Sequence, residues 1–192
     1  ADALRVNFVG ELGWEIHHPI EMQNYIFDLV MKAGAEYNIK PFGIRAMDSL
    51  RLEKSYRLIP RELSIEYSAL ESNLDRFIDF NKENFVGKNG LLKTREKGLK
   101  YNYVTAEAEG IIDADTRGSE PIYSNDKLIG RATSGGFGWR TNKSIVLAMV
   151  EKEFSYLGNQ LDIIILGKKY SIKIIPDSPY DNLNSRLKDQ NH

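Results

Sequence analysis

Near residue 99 the chain changes its rhythm, and that change limits the available folds more than any other feature. "YNYVTAEAEG", "EPIYSNDKLIGRATSGGF", "KSIVLAMVEK" and "QLDIIILGKKYSIKIIP" are short β-rich runs separated by Gly, Asn and Asp. "SND" and "LGKK" are breaks of the hairpin type. Short strands joined by tight turns bury their apolar faces by packing sheet on sheet or by closing into a barrel. We therefore expect residues 99–182 to form a small antiparallel β-barrel.

Residues 1–98 read as α+β. Leu4, Val6 and Phe8 alternate with Arg5 and Asn7, the period of a half-buried strand. After the Gly10–Gly13 turn, Trp14, Ile16 and His18 alternate with Glu15 and His17, and the two runs read together as a hairpin. From Ile20 the period becomes helical. Met22, Tyr25, Ile26, Leu29, Val30 and Ala33 share one face, with Gly34 and Asn38 near the end and Pro41 beyond. A second helix is expected over about Gly43 to Tyr56, and "SALESNLDRFIDF" is expected to be partly helical. "GKNGLLKTREKG" reads as a short helix between glycines. The last ten residues, 183–192, are polar and expected to be loose. A chain of 192 residues suffices for one domain or two small ones. It enters strand-like sequence at once, without an initiating Met or a lead-in, which reads as a fragment of a longer polypeptide.

Charge and composition narrow the partners. With 26 basic and 27 acidic residues the formal net charge is −1, so there is no basic excess for nucleic acid or a membrane surface. No apolar run approaches the roughly 20 residues that span a bilayer. With no cysteine, disulfides, zinc clusters and thiol nucleophiles are excluded. A cytoplasmic location is expected, or the mitochondrial matrix in a eukaryote. His17 and His18 are adjacent and would point to opposite faces of a strand, and His192 is terminal, so ligand counting gives no metal site.

Three segments invite a sharper reading. "TSGGFGW", Thr133 to Trp139, lacks the Lys-Ser/Thr of a phosphate loop and reads as a bend between strands, with Phe137 and Trp139 free to stack on a planar ligand. "RAMDSLRLEK", Arg45 to Lys54, is either a surface helix with ion pairs such as Asp48–Arg51 or a wedge whose charges find partners elsewhere. In "GELGWE", Glu11 and Glu15 flank a turn that leaves through Trp14. A carboxylate on a half-buried strand needs donors, because an unpaired buried charge is costly. Two parallel N–H groups would satisfy it, and both the 2-amino-4-oxo edge of a pterin and an Arg side chain present them.

A family resemblance separates these alternatives. "RVNFVGELGWEIHHP", "FGIRAMDSLRLEKSYR", "DRFIDFNKENFVGKNGLL", "GRATSGGFGWRTNKSIVLAMV" and "PDSPYDNLNSRLK" are similar, in type and order, to the C-terminal half of the glycine-cleavage T-protein (aminomethyltransferase) family. The "GELGWE" form and the closing "SPYDNLNSRLK" most resemble the folate-binding region of dimethylglycine and sarcosine dehydrogenases. The resemblance implies part of a three-domain cloverleaf that binds tetrahydrofolate in a central channel, followed by a C-terminal β-barrel. It implies that Glu15 grips the pterin edge, with Trp14 and Trp139 as aromatic walls and Tyr180 matching a folate-contacting tyrosine near the C-terminus. The activity implied is one-carbon transfer from an aminomethyl or N-methylglycine donor, giving 5,10-methylenetetrahydrofolate. FAD would enter only through an N-terminal domain absent from this chain.

The sequence departs from the family in two places. None of its aspartates matches the family's catalytic aspartate, so no catalytic residue is assigned and the chain alone is expected to be inactive. Where T-proteins have Arg before Asp-Ser-Leu-Arg-Leu-Glu, this chain has Met47, with Arg45 two residues earlier. The expected partners are therefore folate and a small methylated amine, with self-association through an apolar face left uncovered. Two other readings stay open: a non-catalytic folate-binding or interaction module, and a family member that demethylates another donor such as a sulfonium compound.

Overall fold

The computed structural model of the chain describes residues 1–110 and 114–188. A two-stranded antiparallel ribbon comes first, β1 (Asp2–Leu4) with β2 (Glu15–His17), in the register Leu4↔Glu15. Helices α1 (Gln23–Ala33), α2 (Ile44–Glu53) and α3 (Lys88–Lys97) follow. Strands β3 (Tyr101–Ala108), β4 (Pro121–Ser124), β5 (Lys127–Gly138), β6 (Lys143–Glu151), β7 (Gln160–Ile165) and β8 (Lys168–Ile175) close into an antiparallel barrel in the order β3-β6-β5-β4-β7-β8. A final turn of helix, α4 (Ser185–Lys188), ends the described chain.

The barrel forms because its strands carry one continuous apolar face. Val104, Ala106, Ile122, Ile129, Val146 and Ile163 are among the residues that fill the interior. β6 is apolar on both faces: Val146, Ala148 and Val150 point inward, while Ile145, Leu147 and Met149 pack outward with Leu52 of α2 and with Tyr103. That doubled burial is why "SIVLAMV" shows no alternation. β7 faces water on one side and does alternate, with Leu161, Ile163 and Ile165 inside. The β4–β5 turn has Asn125 and Asp126 at positive φ, and the β7–β8 turn has Leu166 and Gly167, the two-residue geometry that matches strand twist.

The first part differs from expectation in several places. β1 ends at Leu4, so Val6 and Phe8 lie in a ten-residue connection rather than a strand. There the Asn7 side chain accepts a hydrogen bond from Gly10 N at 2.9 Å, a local turn that competes with the ladder. α2 ends at Glu53 instead of near Tyr56, because Ser55 turns to φ +55. "SALESNLDRFIDF" is mostly turns, with a single 3₁₀ turn at Asp75–Phe77. The apolar stripe of α1 is uncovered: no residue of that helix is buried, and Tyr25, Phe27 and Leu29 are exposed. Residues 183–188 are not loose. The Lys54 ammonium donates to Asn184 Oδ1 at 2.8 Å and Arg5 donates to the Leu187 carbonyl at 3.3 Å. The rest of the tail, like His192, falls outside the described residues.

Candidate functional site

The end of α2 drives charge into the protein. Arg51, Glu53 and Lys54 are essentially inaccessible to water, although "RLEK" has the composition of a surface helix. The wedge reading fits Glu53 and Lys54, whose partners come from distant segments, while Arg51 forms the expected pair with Asp48 within the helix and meets Tyr56 and Glu62 just beyond it.

Glu53 is the centre of the arrangement. Its carboxylate accepts from Arg140 N at 2.7 Å, Arg140 Nε at 2.6 Å, Thr141 N at 2.8 Å and Thr141 Oγ1 at 3.2 Å, all from the β5–β6 turn. Arg140 then reaches Glu11 Oε1 at 3.0 Å, the Val9 carbonyl at 3.2 Å and the Leu50 carbonyl at 3.1 Å. Its guanidinium lies 3.6 Å from the centroid of the Tyr180 ring. The Tyr180 hydroxyl donates to Glu11 Oε1 at 2.5 Å. That hydrogen bond is the largest cause of a raised Tyr180 pKa, with burial adding to it.

One arginine thus joins the "GELG" turn, the end of α2 and the C-terminal segment. Lys54 makes a second joint. It donates to the carbonyls of Tyr180 at 3.1 Å and Asp181 at 2.7 Å, and its stem lies under Gly10. Burial lowers the Lys54 pKa; Asp181 opposes the shift and Arg140 adds to it.

Arg51 points to the other side. It binds Asp48 at 2.6 Å and the Tyr56 carbonyl at 3.1 Å, and approaches buried Glu62 at 3.4 Å. Glu62 also accepts from Leu58 N at 2.8 Å and from the Ser134 hydroxyl.

The expected site residues fall into three places. Glu15 lies on β2 with its side chain 55% exposed, so the argument from a half-buried strand does not apply to it. Every residue of the two ribbon strands is exposed. Oε2 of Glu15 meets His17 Nε2 at 3.2 Å, and Oε1 has no partner among the described residues. Trp14 is exposed beside it. Tyr180 joins Glu11 and Arg140, and of this cluster Glu11 lies four residues before Glu15 in the chain. Trp139 stands apart, packed edge-to-face on Phe137 at 4.9 Å in the lining of a cavity between α2 and β5.

Sequence reasoning gave Glu11 no role and overlooked Arg140. The signal available was the charge density of "RLEK" in a chain that also offers an arginine in a β-turn. Met47 is half-buried.

The buried phenols give the structure an alkaline limit. Tyr103 is fully buried, its hydroxyl donates to the Ser55 carbonyl at 3.0 Å, and burial raises its pKa strongly against the opposing Arg57 guanidinium. Burial also raises Tyr56. Below the ordinary phenol value of 10.0 these groups are protonated in both folded and unfolded chains and contribute no slope. Above it the unfolded chain ionises first, so stability falls as pH rises. Urea midpoints are expected to decline above pH 10.0, with a shallower decline in Tyr103→Phe.

Comparison with known proteins gives a consistent result. Residues 1–82 match the GCVT N-terminal domain, and residues 103–181 match the glycine cleavage T-protein C-terminal barrel domain. The chain is 38% identical over 176 residues to mitochondrial dimethylglycine dehydrogenase of Homo sapiens, covering 91% of this chain and 20% of that protein. It is 35% identical over 176 residues to an aminomethyltransferase of Thermoanaerobacter sp. (strain X514), covering 92% of this chain and 47% of that one. The fold matches the crystal structure of glycine cleavage system aminomethyltransferase T from Bartonella henselae with a TM-score of 0.85 at 22% identity, over 94% of this chain and 50% of that chain. The chain therefore spans about a fifth to a half of the relatives it matches. No described helix is long and apolar enough to cross a membrane.

Proposed function

The chain belongs to the glycine cleavage T-protein family, and from that premise we propose that it supplies the pterin-recognising part of a tetrahydrofolate-dependent one-carbon transferase. The observation that carries this reading is the Glu15 carboxylate. It is exposed on a short strand beside Trp14, and Oε1 is free to accept. A pterin presents two parallel N–H groups along its 2-amino edge, and a carboxylate meets them with a paired hydrogen bond. Residues of this chain fit that ligand: Glu15 holds the edge, Trp14 offers an apolar face, and Tyr180 stands with Glu11 next to the turn. Trp139 has no contact with this group, and we do not assign it to the pterin.

Tetrahydrofolate supplies the N5 amine that captures the one-carbon unit. The part of this chain is positional, since an oriented amine reacts as though it were present at very high concentration. The Glu53–Arg140–Glu11 joint serves that end by fixing the turn that leads into Glu15. No aspartate here matches the family's catalytic one, so this portion binds and orients while transfer needs further residues. The donor is an aminomethyl group or an N-methylglycine, in line with the two kinds of relative. FAD chemistry, where a dehydrogenase uses it, belongs to a domain outside this chain. The matrix is the fitting compartment if the parent is mitochondrial, as its human relative is. The bare stripe of α1 is the surface through which we expect self-association.

Calorimetric titration with tetrahydrofolate tests this reading. Saturable binding weakened about tenfold or more by Glu15→Ala is expected, the usual loss when a hydrogen bond to a charged group is removed. Equal binding by the variant would remove Glu15 from the site.

A further inference from the structure

The cavity between α2 and β5 carries an excess of positive charge that the folate reading does not use. Its volume is about 290 Å3, and Arg45, Arg61 and Arg117 line it together with Asp48 and Asp115. None of the three guanidiniums forms an ion pair among the described residues, and the nearby Glu120 carboxylate is taken up by the backbone N–H groups of Arg117 and Gly118 at 2.8 Å. Asp48 is already committed to buried Arg51 at 2.6 Å. Among the described lining residues, three guanidiniums therefore face one uncommitted carboxylate, Asp115.

The lining is also held in place. One nitrogen of the Arg61 guanidinium is fixed by the carbonyls of Arg117 and Thr133, which leaves its other donors unused. The segment carrying Thr116 and Arg117 lies tightly on β5, where a Cβ on Gly135 would come within 2.7 Å of Thr116 Cβ. Glycine at 135 is what permits this approach. A neighbouring cavity of about 260 Å3 shares Arg61 and Arg117, so the positive surface continues beyond the first cavity. At its other side the Phe137–Trp139 pair offers an apolar shoulder.

We propose that this cavity is a second ligand site, separate from the pterin edge, which takes a small organic anion carrying two or more oxyanions. Planar guanidiniums bind carboxylate and phosphate oxygens through paired N–H donors, and unpaired like charges around one cavity favour such a ligand. The aromatic shoulder packs on its carbon body. The cavity shares no lining residue with the Glu53–Arg140–Glu11 joint or with Glu15, and its occupancy is expected not to depend on folate.

The test is calorimetric titration at low ionic strength with inorganic pyrophosphate and, separately, with glutarate. Saturable binding of either probe is expected, and the tighter probe distinguishes phosphate from carboxylate chemistry. Arg45→Gln is expected to weaken it about tenfold, as is Arg61→Gln. The Arg45 side chain forms no hydrogen bond or ion pair among the described residues, so its variant reads binding without a folding defect. Arg76→Gln, which removes a guanidinium that stacks on Phe77 away from the cavity lining, is expected to change nothing, and so is Glu15→Ala. The proposal is overturned by no saturable binding of either probe, by equal weakening in Arg76→Gln, or by unchanged binding in Arg45→Gln. Weakening by Glu15→Ala would overturn the separateness of the site.

Discussion

Glu53→Ala is expected to cost about 3–5 kcal/mol of stability, the usual loss when one partner of a buried ion pair is removed. Glu53 is inaccessible to water and accepts four hydrogen bonds from Arg140 and Thr141. Without it, two backbone N–H groups lose their acceptor and the Arg140 guanidinium keeps only Glu11 as a charged partner. The β5–β6 turn and the "GELG" turn would loosen together, since Arg140 holds both. Glu53→Gln keeps the volume and one acceptor, so it is expected to recover only part of the loss. Urea denaturation measures this as a lower midpoint with the slope unchanged. A loss below about 1 kcal/mol, the size of a surface pair, would mean that Glu53 is not the centre of the joint.

Gly10→Ala is the second large effect. Gly10 has φ +76, and a left-handed conformation costs a non-glycine residue about 1–2 kcal/mol. Space adds to the cost, because a Cβ there would come within 2.4 Å of Lys54 Cγ and 2.5 Å of Cδ. The lysine cannot simply swing away. Its ammonium is pinned by the carbonyls of Tyr180 and Asp181 and by Asn184 Oδ1. Moving it would leave those acceptors without their donor, about 1–3 kcal/mol more for a hydrogen bond to a charged group. A double-mutant cycle separates the two parts: in a Lys54→Ala background, Gly10→Ala should cost only the conformational share. Full additivity would show that the stem of Lys54 does not brace the turn.

Both predictions concern charges that the sequence pattern left undecided, and the reason is physical. Helical periodicity records which residues share a face, but not whether that face meets water or a turn from 87 residues away, as Glu53 meets Arg140. The barrel was legible because its signals are local. The Asn125–Asp126 and Leu166–Gly167 turns set their hairpins, and the unbroken apolar run of β6 reflects burial on both faces.

The first ribbon was legible as a strand pair but not in length. Alternation continues through Val6 and Phe8, while the Asn7–Gly10 turn ends the ladder at Leu4. The tail from 183 to 188 reads as polar because its partners are a buried ammonium and an arginine, not an apolar core. Of the binding residues, Tyr180 joins Glu11 and Arg140, whereas Trp139 lines a different cavity. Position in the sequence could not show that Trp139 lines a cavity while its neighbour Arg140 turns to Glu53 and Tyr180.

The central claim is that Glu15 recognises the pterin edge, and one comparison addresses it directly: calorimetric affinity for tetrahydrofolate beside its 2-desamino analogue, in the wild-type chain and in Glu15→Gln. The analogue lacks one of the two parallel donors. The wild type is expected to prefer tetrahydrofolate by about tenfold or more, and Glu15→Gln to lose most of that preference. Equal wild-type affinity for the two ligands, or the same preference in Glu15→Gln, would contradict the account.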